Sequence, residues 1–129
     1  MTKKCISLKL LPEIYGVVRL DPHVSIPEWA TKDGFYSITK TSDELSIVCL
    51  QHQIPPTVVC EKDWQILKVL GPLDFSLVGI LASLSTPLAL NGISIFAIST
   101  YDTDYILVKH KDVSAAIKTL SNEGYTFIH

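Results

Sequence analysis

The second half of the chain alternates between two hydrophobic periods in a fixed order, and this order constrains the fold more than any other feature of the sequence. Residues 64–70 have the apolar, β-rich composition of a strand, and residues 77–88 then place Leu and Ile at the three-and-four spacing of one helix face. Asp74 is predicted to cap this helix, Pro87 to bend it without breaking it, and Asn91-Gly92 to end it. These residues therefore predict a strand followed by a helix.

A hairpin and a second helix follow. Residues 93–99 and 105–108 have strand composition and flank a polar turn at residues 100–104. Asp112 is predicted to cap a helix that ends before Gly124, and a last strand then completes the pattern. The order β-α-β-β-α-β predicts a ferredoxin-like α+β fold, in which two helices cover one face of an antiparallel sheet.

The first half of the chain is rich in strands and poor in helix. Its predicted strands are residues 6–11, 14–20, 35–40 and 45–50. Only residues 26–30, with Pro27 at the first helical position, predict a short helix. This half resembles a second β-α-β-β unit with a shortened first helix, whose second helix is missing or replaced by the Pro55-Pro56 connection. We therefore predict two tandem modules, a truncated one at residues 1–61 and a complete one at residues 62–129.

Composition narrows the class of protein. No apolar run reaches the roughly 18 residues of a membrane span, and the N-terminal residues lack a signal-peptide core. A cytoplasmic protein is therefore expected. A net charge of −2 gives nucleic acid no electrostatic attraction. Because 47% of only 129 residues are hydrophobic, some apolar surface is expected in a subunit interface.

The residues that usually carry chemistry show no catalytic or metal-binding pattern. The three cysteines form no C-x-x-C pair, and the four histidines lack ligand spacing, so we expect reduced structural thiols and no metal or cofactor. Residues 71–79 contain no lysine for a phosphate-binding loop. No nucleophile with a local activating group stands out, and we predict that the protein is not an enzyme.

One long block of sequence resembles a known family. Residues 92–108 read GISIFAISTYDTDYILV and follow GILA at residues 79–82 and PLA at residues 87–89. Together they resemble ACT domains, in particular the small paired ACT proteins related to CASTOR-type arginine sensors and to aspartate kinase regulatory regions. The resemblance covers residues 62–129 and extends over the first half by strand order. It implies a non-catalytic regulatory protein, expected to be a homodimer, that binds an amino acid where ACT modules meet and acts on a separate enzyme.

Two segments are candidates for this ligand site. The first lies between the strand and the first helix and contains Ser76, Leu77, Val78 and Gly79. Backbone amides at a helix start lack intrahelical partners and attract anions, so an α-carboxylate fits there. The alternative is that Asp74 or Ser76 simply caps the helix and that Gly79 only permits close packing.

The second segment is the hairpin turn, with candidate residues Thr100, Tyr101, Thr103 and Asp104. The resemblance implies that backbone groups of this turn contact the ligand and that Asp104 pairs with its cationic end. The alternative is that Asp102 and Asp104 are ordinary turn residues bonded to their own backbone. The corresponding alternative function is a structural module that dimerises or docks on a partner enzyme without a ligand.

Overall fold

The computed structural model describes residues 6–70 and 79–128, which form two compact units. In chain order the elements are β1 (Ser7–Leu10), β2 (Tyr15–Leu20), β3 (Ser37–Lys40), β4 (Leu45–Leu50), β5 (Cys60–Val69), α1 (Ile80–Leu90), β6 (Ile95–Ser99), β7 (Asp104–Lys109), α2 (Val113–Asn122) and β8 (Thr126–Ile128). We call residues 13–64 the inserted unit, and the described residues on either side of it the discontinuous unit. This division differs from the predicted boundary between residues 61 and 62, because β1 belongs with the second half of the chain.

The discontinuous unit confirms the β-α-β-β-α-β order and adds a fifth strand. Its strands pair in the order β6, β7, β5, β1, β8. β1 is antiparallel to β5, with Leu8 opposite Val69, and parallel to β8, with Leu8 opposite Phe127. The N-terminal strand thus separates the first and last strands of the predicted four-stranded plan.

The core of the discontinuous unit lies between its sheet and the two helices. Leu84 and Leu88 on α1, and Ala116 and Leu120 on α2, are fully buried because each pair is spaced four residues apart on one helix face. The whole cluster comprises Ile6, Leu8, Leu67, Val69, Ile80, Leu84, Leu88, Ile93, Ile106, Val108, Val113, Ala116, Leu120 and Tyr125. Alternate residues of the strands contribute to it, as expected for one buried sheet face.

The start of α1 corrects the sequence prediction. The helix begins at Ile80, because Gly79 has a φ of 81°, which no right-handed helix contains. The predicted cap Asp74 lies outside the described residues. Pro87 lies within the helix, which continues to Leu90 without a break.

The predicted end of α2 is confirmed, whereas the predicted cap at its start is not. Asp112 occupies the position before the helix, but its carboxylate makes no capping hydrogen bond and instead pairs with Lys111 Nζ at 3.2 Å. The predicted end is confirmed, because Gly124 has a φ of 100° and the Tyr125 amide donates to the Leu120 carbonyl at 3.1 Å. No helix among the described residues is long and apolar enough to cross a membrane.

The inserted unit is an antiparallel sheet in the order β3, β4, β2 and the first part of β5. Its core comprises Val18, Ala30, Leu45, Ile47 and Cys49. The predicted helix is a single 3-10 turn, Glu28–Thr31, which follows Pro27 and contributes the fully buried Ala30. Whether this unit is a truncated ACT-like module remains a prediction.

An irregularity interrupts β5 within the inserted unit. Tyr15 pairs with Trp64 but Val17 pairs with Glu61, so β5 carries one extra residue, and Asp63 adopts a left-handed φ of 69°. The side chain of Gln51 makes two hydrogen bonds with Asp63. Its Oε1 accepts the Asp63 amide at 2.6 Å and its Nε2 donates to the Asp63 carboxylate at 3.1 Å.

The backbone at Asp63 predicts opposite responses to two substitutions. Asp63→Gly should leave the free energy of unfolding near that of the wild type, because glycine adopts a positive φ without strain and offsets the lost side-chain bond. Asp63→Val should lower it by about 1–2 kcal/mol. Urea unfolding followed by circular dichroism measures both. Equal stabilities for the two variants would contradict the strained geometry.

Candidate functional site

The turn between β6 and β7 closes with a compact set of hydrogen bonds. The Thr100 amide donates to the Thr103 carbonyl at 2.8 Å, and the Thr100 hydroxyl reaches the same carbonyl at 3.0 Å. In the other direction the Thr103 amide donates to the Thr100 hydroxyl at 3.3 Å. The tip between them exposes Asp102 and Tyr101, and Tyr101 is 82% exposed. The turn therefore has a fixed base and an exposed tip.

Thr103 joins this turn to the end of β5. This residue is only 5% exposed, and its hydroxyl donates to the Val69 carbonyl at 2.7 Å. Val69 is the last residue of β5, before the chain enters residues 70–79, where the first candidate segment begins. The buried bond thus places the second candidate segment beside the strand end that leads to the first.

Asp104 lies directly opposite Ser99 in the hairpin and is half-buried. The Ser99 hydroxyl donates to Asp104 Oδ1 at 2.5 Å. By strand alternation the Asp104 side chain belongs to the same sheet face as Ile106 and Val108, the face that the helices cover. A carboxylate at this position can pair with a cationic group.

Gly79 occupies the start of α1 in an open position. It is exposed, and, its chain neighbours aside, no atom of the described residues lies within 4 Å of the place where a Cβ would stand. Its carbonyl accepts the Ser83 amide at 2.8 Å, and no side chain of the described residues caps the helix. The amides before Ser83 in this first turn have no acceptor within the helix, which suits an anionic group.

A polar contact within the discontinuous unit secures this first turn of α1. Tyr125, which is buried, hydrogen-bonds to the Ser83 hydroxyl. The same hydroxyl donates to the Ile80 carbonyl at 3.2 Å, so the Tyr125 hydroxyl is the donor in the contact. The helix start is therefore attached to the strand side of the core.

The structure describes five of the eight predicted site residues. Thr100, Thr103 and Asp104 form one connected turn, and Tyr101 extends from its tip. Gly79 lies immediately before α1, whereas the candidates Ser76, Leu77 and Val78 lie outside the described residues. The sequence reasoning missed Ser99 and Val69. Ser99 could have been predicted from the sequence, because a hairpin with a four-residue loop places it opposite Asp104.

The buried bond between Thr103 and Val69 predicts a stability effect. Thr103→Val keeps the shape of the side chain but leaves the Val69 carbonyl without its donor, so the free energy of unfolding should fall by about 1–2 kcal/mol. Thr103→Ser is the matched control, since it retains the hydroxyl. Denaturant unfolding of the three proteins measures the difference. A valine variant as stable as the serine variant would contradict the role of the bond.

The cysteines of the described residues fit a structural role. Cys49 and Cys60 are free thiols, and Cys49 is fully buried on β4. Burial, with a smaller contribution from Cys60, raises the pKa of the Cys49 thiol to about 11. The thiolate is the reactive form, so Cys49 is poorly suited to nucleophilic catalysis. Among residues 6–70 and 79–128, no group of three or more His, Cys, Asp or Glu could hold a metal ion.

The raised pKa of Cys49 predicts protection and a pH dependence. At pH 8, iodoacetamide should modify Cys60 faster than Cys49, and the two rates should converge in urea, as read by peptide mass spectrometry. The ordinary thiol pKa is 9.0, so the folded protein retains this proton to higher pH than the unfolded chain. The contribution of Cys49 to stability is therefore full below pH 9 and is lost as the pH rises through 11. Equal native labelling rates would contradict this environment.

Comparison with known proteins identifies the family. The family model of the ACT domain matches residues 59–122. The chain belongs to the ACT domain family. A second family model, of an N-terminal domain, matches residues 13–57, which lie within the inserted unit.

Relatives with known names or structures agree with this assignment. The chain is 32% identical over 100 residues to the cytosolic arginine sensor for mTORC1 subunit 1 of Bos taurus, and the match covers 69% of this chain and 30% of that protein. Protein Atu0741 of Agrobacterium tumefaciens has a TM-score of 0.90 at 44% identity, with 95% of this chain and 92% of that chain covered. Aspartate kinase from Synechocystis has a TM-score of 0.65 at 18% identity, with 95% of this chain and 27% of that chain covered, and shows similarity of fold alone.

Proposed function

We propose that the chain is a non-catalytic, amino-acid-binding regulatory protein that holds its ligand at an interface of ACT modules. The observation that carries this proposal is the turn between β6 and β7, where a buried bond from Thr103 fixes the backbone next to the half-buried carboxylate of Asp104. The name of the Bos taurus relative, an arginine sensor, supports an amino acid as the ligand class.

The chemistry of an amino acid matches the two candidate segments. Its α-carboxylate suits the amides of the first turn of α1, which lack acceptors within the helix, and the proposed contacts include the preceding residues Ser76, Leu77, Val78 and Gly79. Its cationic group suits Asp104, since a charge-assisted hydrogen bond is stronger than a neutral one. Thr100 and Tyr101 flank the same turn and border the remaining part of the ligand. Thr103 acts through the backbone that it positions.

Regulation requires that the ligand favour one arrangement of the protein over another. A ligand shifts an equilibrium only through its different affinity for the two states. We propose that the protein acts as a cytoplasmic homodimer and that its regulatory target is a separate enzyme. The name of the Bos taurus relative, a cytosolic sensor for mTORC1, supports this part of the proposal.

The function is tested by thermal unfolding in the presence of each of the twenty amino acids. A ligand at 100 times its Kd adds about 2.7 kcal/mol by mass action, which raises the Tm of a chain of this size by roughly 10 °C. We expect a cationic amino acid to produce such a shift. Asp104→Ala should abolish it, whereas Asp102→Ala, which removes the same charge from the exposed tip of the same turn, should retain it.

Other outcomes decide against the proposal. If the two variants lose the shift equally, general charge rather than Asp104 attracts the ligand. If no amino acid shifts the Tm at millimolar concentration, the chain is a module for dimerisation or for docking on a partner enzyme. Consumption of an added compound would instead identify an enzyme. Sedimentation velocity with and without the ligand measures the homodimer directly.

A further inference from the structure

The register of the hairpin places Ser99 opposite Asp104, although Ser99 is not among the residues of the proposed ligand site. Thr100 and Thr103 form a hydrogen-bonded pair at the base of the turn, so the next pair along the hairpin, Ser99 and Asp104, is a non-hydrogen-bonded one. Side chains that face each other in such pairs lie closest together. The hydroxyl of Ser99 therefore reaches the carboxylate without any distortion of the strands.

The bond from Ser99 makes the two carboxylate oxygens of Asp104 different from each other. Oδ1 accepts the Ser99 hydroxyl at 2.5 Å, and no hydrogen bond or ion pair to Oδ2 is present among residues 6–70 and 79–128. The bond also fixes the rotation of a carboxylate that is only half-buried. A charged ligand therefore encounters an oriented acceptor whose Oδ2 receives no hydrogen bond from the described residues, and less side-chain freedom is lost when it binds.

Cationic ligands differ in how they use a carboxylate. A guanidinium makes its strongest contact when two parallel N–H groups reach both oxygens. An ammonium is a compact point charge that needs one oxygen. At Asp104 the Ser99 hydroxyl already occupies one of the two acceptor sites of Oδ1, so a bidentate guanidinium has to share this oxygen with it. An ammonium on Oδ2 leaves the bond from Ser99 unchanged.

We propose that Ser99 is a positioning and specificity residue, which orients Asp104 so that the ligand site favours a primary ammonium over a guanidinium. This inference rests on the proposed function, since it concerns the same ligand site. It adds the chemical class of the cationic group and a residue outside the predicted set. Ser99 acts through Asp104 and does not itself bind the ligand.

The test measures the affinities of L-lysine and L-arginine by isothermal titration calorimetry. Ser99→Ala should weaken lysine binding by about three- to tenfold and shift the lysine-to-arginine preference toward arginine by a similar factor. Ser99→Thr keeps the hydroxyl and suits a β-strand, so it should restore both values. Ser94→Ala is the matched control, because Ser94 is an exposed serine just before β6.

A second readout reports the contact without any ligand. The ¹³C chemical shift of the Asp104 carboxyl should change in Ser99→Ala, return in Ser99→Thr and stay unchanged in Ser94→Ala. A loss of fold alone would not produce this pattern, and the Tm of each variant verifies that the protein remains folded.

The outcomes separate this inference from the proposed function. If lysine binds and the preference is the same in wild type and Ser99→Ala, the role of Ser99 is overturned while the amino-acid site stands. An unchanged carboxyl shift in Ser99→Ala also overturns it, because the contact would be absent. If neither amino acid binds the wild type, the proposed function fails and the specificity role fails with it.

Discussion

The arrangement of the discontinuous unit depends on the final part of β5, which is held on both sides and ends in a buried bond. β1 and β7 flank this strand, and Leu67 and Val69 are fully buried in the core. The Val69 carbonyl at its end is then bound by the Thr103 hydroxyl. A buried carbonyl that lost this donor would keep its desolvation cost, so strand and turn hold each other in place. The location of the candidate site follows from a packing requirement.

Two hydrogen bonds position Asp104, one through its backbone and the other through its side chain. The bond between Thr103 and Val69 is buried and fixes the backbone one residue before the carboxylate, whereas the bond from Ser99 is exposed and fixes only the side chain. Exposed bonds contribute little to folding because water competes with them. Stability and ligand preference are therefore separable in this hairpin. Changes at Thr103 affect the fold, and changes at Ser99 affect the chemistry that the turn presents.

The sequence predicted those parts of the fold that depend on local period. Both helices and the hairpin follow from spacing, and the end of α2 follows from Gly124. The placement of β1 could not be predicted, because the alternation of residues 6–11 is the same whether they pair inside a first module or with β5. The start of α1 was misplaced, since the apolar spacing continues through Gly79, where the backbone reverses its φ. Of the site, the turn residues were predicted, but pairing across the hairpin was needed to find Ser99.

A regulatory ligand needs a part of the protein that responds to it, and the two ends of the proposed site differ in this respect. The turn is already tied to β5 by a buried bond, so a ligand at Asp104 meets a preorganised group. Within the part of the chain that the structure describes, no side chain caps the start of α1, and its first amides lack helical acceptors. A carboxylate there therefore supplies hydrogen bonds that the helix itself does not. In the proposed function the turn therefore selects the ligand, and the helix start gains new bonds when it binds. Any difference in affinity between two states of the protein should then arise at α1, because a rigid turn binds equally in both and shifts neither.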